Sequence, residues 1–320
     1  MIVWLYIAIV LLMRVVQSVF GKLNANGVPK NALAYLKYNI FYIAVAGLFA
    51  LCLFVFEAIG FSGEWQFSIT LLYAFISGVA LAVACCCSLY ALTAGTMVLD
   101  SLFGTAGLLV PTVASIFLYN EILSVWQWLF VGVFLVGAYL LVGNSKKNYG
   151  KFTPATLIVL IVSLLSNGVT MLMQTAFSRS VEGGSIALFS VLSFFSGVAL
   201  LGVVFIVLSV WYKRKKPQIP AQENADFTLF PLREEEGRVP KKNLLFSTGL
   251  AVAVFLINQL ATVSANLISP VVLFAFINGG ATIISALVGL TVFKEKISFW
   301  GAVGLVLGIG SLVMIKVFAL

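Results

Sequence analysis

Histidine is absent from this chain of 320 residues. That excludes imidazole-based catalysis, His-ligated metals and His proton relays. Charge is scarce as well. Only 9% of residues are charged, against about 25% in a soluble domain. The only aspartates are Asp100 and Asp226, so no aspartate cluster exists to hold Mg²⁺ and a diphosphate. The four cysteines are Cys52 and the run Cys85, Cys86, Cys87. Neighbours on a helix point about 100° apart, so three adjacent thiols do not converge on one metal. No C-x-x-C pair and no Walker sequence is present. These absences read as a protein that is not an enzyme, with no cofactor and no metal. The cysteines read as small packing residues.

What is plentiful is apolar. The chain is 62% hydrophobic with a mean hydropathy of +1.11. Too little polar surface exists to face water, which predicts an all-α integral membrane protein. A spanning helix needs about 20 predominantly apolar residues. Ten runs qualify: 2–20, 36–58, 67–90, 97–119, 124–143, 154–178, 185–211, 244–266, 270–293 and 298–317. In lipid each backbone group must be satisfied internally, so these are helices. A β-barrel would show segments of about ten residues with alternating polarity. The first run lacks a basic leader and a small-residue cleavage site, and is read as a retained span rather than a signal peptide.

One charged motif occurs twice. Residues 120–126 read NEILSVW and residues 294–300 read KEKISFW, each in the break between two apolar runs. Both copies close a unit of five spans. The chain therefore divides into a first repeat at 1–143, a connecting loop at 144–153 and a second repeat at 154–320, with a flexible hydrophilic loop at 213–243. An odd number of spans per unit makes the two repeats inverted in topology. Internal inverted repeats mark transporters, with a solute site near the midplane between them. Glu121 and Glu295 suit the positive end of a helix dipole, and Ser124 and Ser298 are placed to cap the helices that follow. A gating ion pair is the alternative, served by Lys294 and Lys296 around Glu295.

The stretch LLVPTVASIFLYNEILSVWQWLFVGVFLVGAYLLV at 108–142 resembles the C-terminal half of the EamA repeat of the drug/metabolite transporter superfamily. Pro111, Glu121, Ser124, Gly132 and Gly137 fit that pattern. The second copy, at 281–315, keeps Glu295 and Ser298 but has Ser285 where the first has Pro111. The resemblance implies a ten-helix carrier with a central cavity. Small multidrug exporters of the same superfamily exchange protons through a Glu in the first helix. Here that helix has Arg14 and no acid, which disfavours proton-coupled export of lipophilic cations.

Sixteen of the nineteen basic residues fall in connections on one side of the membrane. The bias of Lys and Arg toward the cytoplasm then puts both termini outside. The resemblance implies the reverse orientation. A cytoplasmic membrane is the expected location. Topology accounts for the net charge of +8, so no nucleic-acid partner is called for.

Polar residues inside apolar spans are costly and tend to face the bundle interior. Arg14, Gln17 and Ser18 share one face of the first span, and Asn167, Thr170 and Gln174 share one face of the sixth. Asn39 lies in the second span, Asn258, Gln259 and Thr262 in the eighth, and Asn278, Thr282 and Ser285 in the ninth. The expected cavity wall is Arg14, Gln17, Asn39, Asn167, Gln174, Asn258, Thr262 and Asn278. The bland alternative is interhelical hydrogen bonding, worth about 0.6 kcal/mol each. Asp100 is one candidate partner for Arg14, and the count of spans sets it at the end of the bundle opposite Lys22, which weighs against the pair. The functional expectation is a carrier moving a small polar metabolite, such as an amino acid or organic anion, by alternating access. The alternatives are a drug or toxic-compound exporter, and a lipid-handling or structural membrane protein without a solute path. The partners expected are the lipid bilayer and a small-molecule substrate. The glycine spacing of the last span (301–310) suits packing within the chain or the face of a homodimer.

Overall fold

A computed structural model describes residues 2–60, 66–94, 97–119, 124–149, 154–181, 184–215, 239–267, 270–294 and 297–317. They form eleven helices and, among the described residues, no strand. The helices are α1 (Ile2–Gly27), α2 (Ala32–Gly60), α3 (Phe67–Ala94), α4 (Met97–Ala106), α5 (Leu109–Tyr119) and α6 (Val125–Tyr149). Then come α7 (Pro154–Ser180), α8 (Ile186–Lys215), α9 (Lys241–Leu267), α10 (Pro270–Thr291) and α11 (Phe299–Val317). Among the described residues six are long and apolar enough to cross a membrane: α1, α2, α3, α7, α8 and α9. Phe56, Ile59, Phe117 and Val125 are each more than 70% exposed. Large apolar side chains held outward in such numbers suit lipid, not water. The architecture is that of a helical membrane protein.

The run at 97–119 is not one helix, as its unbroken hydropathy suggests, but two. Pro111 has no N–H to give the Gly107 carbonyl four residues back. Val110 donates to that carbonyl instead, at 3.0 Å, and Leu108 donates to Thr105 at 3.1 Å. These three-residue turns close α4 and open α5. The break is packed tightly against α7. A Cβ on Gly107 would meet the Gly168 nitrogen at 2.8 Å and the Leu164 oxygen at 3.0 Å.

Helix pairing follows a definite scheme. α6 packs on α11, α2 on α8, and α4 on α10. α3 packs on α7 and α1 on α9; α3 packs on α8 and α2 on α9; α4 packs on α7 and α1 on α10. Close approach is bought by small residues. A Cβ on Gly137 would meet the Gly304 oxygen at 2.7 Å and the Gly308 nitrogen at 2.8 Å, so the glycines of α11 are used inside the chain. Gly197 sits against the Gly78 oxygen where α8 crosses α3.

The two ends of the bundle can be told apart. Lys22, near the end of α1, donates to the Leu92 carbonyl near the end of α3 at 3.3 Å. The C-terminal ends of α1 and α3 therefore meet at one end, together with the start of α9. There Asn243 Nδ2 donates to Asn24 Oδ1 at 3.2 Å and to the Asn24 carbonyl at 3.3 Å. Phe20 stacks on Phe246 with centroids 5.8 Å apart. At the far end the start of α3 meets the end of α7. Phe177 stacks on Phe189 at 4.6 Å, and Tyr73 donates to Ser180 at 3.3 Å. Nineteen residues of α3 separate Tyr73 from Leu92, a rise of roughly 28 Å.

Candidate functional site

Between those two ends lies a cavity of about 180 Å³. It sits where α1, α2, α3, α4, α7, α9 and α10 converge. Six of the eight residues expected to line a cavity do line it: Arg14, Gln17, Asn39, Asn167, Gln174 and Asn258. The convergence follows from helix periodicity. Arg14, Gln17 and Ser18 occupy one face of α1, and Asn167, Thr170 and Gln174 one face of α7, and all six touch the same space.

The polar residues divide into two sets. One set joins helices. Gln174 Nε2 donates to Asn258 Oδ1 at 2.8 Å, tying α7 to α9. Ser18 and Ser285 share a hydrogen bond of 2.7 Å between α1 and α10. Thr105 and Thr282 share another between α4 and α10. Ser190 donates to Gln259 Oε1 at 2.8 Å between α8 and α9. These bonds are the structural use that any buried polar residue in a membrane finds. The other set is left incompletely partnered. Arg14 Nη1 donates to Gln17 Oε1 at 2.9 Å, while its Nε is buried with no hydrogen-bond partner among the described residues. Asn39 spends its amide nitrogen on the Tyr35 carbonyl at 2.8 Å, and its Oδ1 is buried without a partner among the described residues. An Arg at a helix centre costs about 2.5–3.5 kcal/mol to insert even by the lenient scale. A neutral amide as its hydrogen-bond partner offsets little of that.

Two expected residues fall elsewhere. Thr262 is buried but returns its hydroxyl to the Asn258 carbonyl at 2.8 Å, one turn back on its own helix, and does not line the cavity. The Asn278 side chain lies outside the described residues, as do Glu121 and Glu295. Ser298 Oγ accepts the Gly301 N–H at 3.3 Å at the start of α11, and its carbonyl accepts from Ala302 at 2.9 Å. The Ser124 carbonyl accepts from Trp128 at 3.3 Å at the start of α6. Lys294, beside Glu295, adopts the left-handed backbone conformation with φ of 51°.

Asp100 is placed differently from the expectation. It lines the same cavity as Arg14 and lies at the Lys22 end. The reason is the number of crossings. α1, α2 and α3 carry the chain across three times, so α4 starts at the end where α1 stops. Ser88 donates to Asp100 Oδ2 at 2.8 Å, one turn of α3 before the Leu92 carbonyl that holds Lys22. The signal was legible, because Asp100 is the one aspartate inside an apolar run. Tyr42, Cys85 and Ser88 also line the cavity. They stood in apolar or small-residue stretches with no polar stripe to mark them. Among the described residues no group of three Cys, Asp or Glu side chains is placed to hold a metal.

No protein-family model matches the chain. No curated protein matches it either. The solved structures that match include a crystal structure of a protein with a TM-score of 0.59 at 14% identity, covering 98% of this chain and 96% of that one. The likeness runs end to end, and at that identity it is a likeness of fold.

Proposed function

We propose that this chain is a membrane carrier that moves a small polar metabolite by alternating access, built from two inverted five-helix repeats of the EamA type. In this reading α4 and α5 together form the fourth of ten spans. The observation that carries it is the polar cavity of about 180 Å³ with Arg14, Gln17, Asn39, Asn167, Gln174 and Asn258 on its wall. Its position between two zippered bundle ends is where an inverted-repeat carrier holds its solute.

The packing scheme supports the repeat. Exchange each span with its counterpart five places on: α1 with α7, α2 with α8, α3 with α9, α4 with α10, and α6 with α11. The pair α1–α9 becomes α7–α3, α2–α9 becomes α8–α3, and α1–α10 becomes α7–α4. The pairs α2–α8, α4–α10 and α6–α11 map onto themselves. Each of these pairs is present. A pseudo-two-fold relation between halves gives this result, and an arbitrary ten-helix bundle has no reason to. The helix breaks at Gly107, just beyond Gly104 and Thr105 of the cavity wall, and interrupted helices recur at carrier sites.

Size weighs against the exporter of large drugs, since drug-sized ligands occupy pockets of about 300–1,000 Å³. A structural protein with no solute path predicts polar stripes that pair fully and leave no space. Gln174–Asn258 and Ser18–Ser285 pair, but the cavity persists beside them. The carrier would sit in the cytoplasmic membrane with both termini outside. A homodimer would need a surface other than the Gly137–Gly304–Gly308 seam. The test is metabolite profiling inside and outside cells expressing the protein, beside an Arg14→Ala, Gln174→Ala variant at equal abundance. Specific polar metabolites shift with the native chain and not with the variant. Equal profiles would remove these residues from the site.

A further inference from the structure

The cavity contains two opposite charges that do not pair with each other. Arg14 stands on α1 with Gln17 as its hydrogen-bond partner among the described residues. Asp100 stands on α4 with Ser88 as its partner. Both line the same space. In a low-dielectric interior each of these charges is stabilised by an opposite charge brought to it. Lys22 acts on Asp100 from outside the cavity wall, held at the Leu92 carbonyl one turn beyond Ser88. Lys22 is not among the residues that line the cavity.

Resting on the carrier reading, we propose that the site is dipolar and that its solute is a small zwitterion. Arg14, steadied by Gln17, receives the carboxylate, and Asp100, steadied by Ser88, receives the cationic group. The two poles lie at different heights. The cavity meets α1 from Arg14 to Gly21, a rise of roughly 10 Å. Asp100 lies toward the Gly21 end: Ser88 of α3 holds it, and Leu92, one turn on, approaches Gly21. The site therefore selects on the spacing of the solute's charges as well as on their signs. An anion alone would leave Asp100 facing it unpaired, and a cation alone would leave Arg14 unpaired. Such a mismatch costs a ligand far more than a missing apolar contact does.

Four probes of one carbon count separate the cases: L-2-aminobutyrate, 4-aminobutyrate, butyrate and butylamine. Binding is measured by calorimetry on the full-length protein in lipid nanodiscs. At least one of the two zwitterions binds tenfold or more tightly than both single-charge probes. Asp100→Asn brings that zwitterion down to the level of butyrate, and Arg14→Gln brings it down to the level of butylamine. The native protein alone already decides the matter, so a variant that fails to fold does not rescue the idea. Butyrate binding as well as the zwitterions would strike Asp100 from the site while leaving an anion carrier standing. Butylamine binding as well would strike Arg14 in the same way. No binding by any probe overturns the dipolar site, and the profiling experiment then judges the carrier reading separately.

Discussion

The two ends of the bundle are closed by opposite arrangements of the same materials. Where α1 meets α9, the polar contact is inside and the rings are outside. Asn24 and Asn243 are buried, at 0% and 5% exposure, while Phe20 and Phe246 are half-buried. Where α7 meets α8 and α3, the rings are inside and the polar contact is outside. Phe177 and Phe189 are buried at 1% and 2%, and the Tyr73–Ser180 bond is exposed. A ring stack cut off from solvent is stabilised by area and shape and is insensitive to water. A buried amide pair is only as good as its geometry, and here Asn24 Nδ2 is buried with no partner among the described residues. The comparison says that the amide end is the easier of the two to open.

Four substitutions break that comparison or sharpen it. The largest effect falls on the ring end. Phe177→Ala removes a fully buried ring stacked on Phe189 and costs about 3–5 kcal/mol, read as a fall in the unfolding midpoint in detergent. Gly137→Leu comes next and serves as a control away from both ends. It forces α6 from the Gly304 and Gly308 backbone and costs about 1–3 kcal/mol without favouring either end. Asn243→Ala at the amide end leaves the Asn24 carboxamide short of its donor and costs about 1–3 kcal/mol. It also raises reagent access to the cavity from the Lys22 side, which Phe177→Ala does not. Ser180→Ala is smallest, within about 0.5 kcal/mol, because its bond to Tyr73 is exposed. Should Ser180→Ala cost as much as Asn243→Ala, the contrast between the ends is not real.

Much of the fold was legible because the apolar runs and their breaks are set by local composition. The interruption at Gly107 was not. Hydropathy sees Leu108, Leu109 and Val110 as continuous, while the break depends on a missing N–H at Pro111 and a helix packed on Gly107. The cavity wall was legible where helical spacing made a stripe, as with Arg14, Gln17 and Ser18. It was not legible at Thr262, whose hydroxyl goes back to its own helix. Asp100 shows a different failure. Its charge announced it, but its place depended on counting crossings, and one miscounted crossing moves a residue the thickness of a membrane.

The most direct test uses a native residue. Cys85 lines the cavity. In a chain with Cys52, Cys86 and Cys87 replaced by Ser, a charged membrane-impermeant methanethiosulfonate is applied to oriented vesicles from each side in turn. Alternating access predicts that Cys85 is modified from both sides, with Asn243→Ala speeding the reaction from the Lys22 side. Modification from one side only, or from neither, would contradict a carrier and leave a fixed pocket in its place.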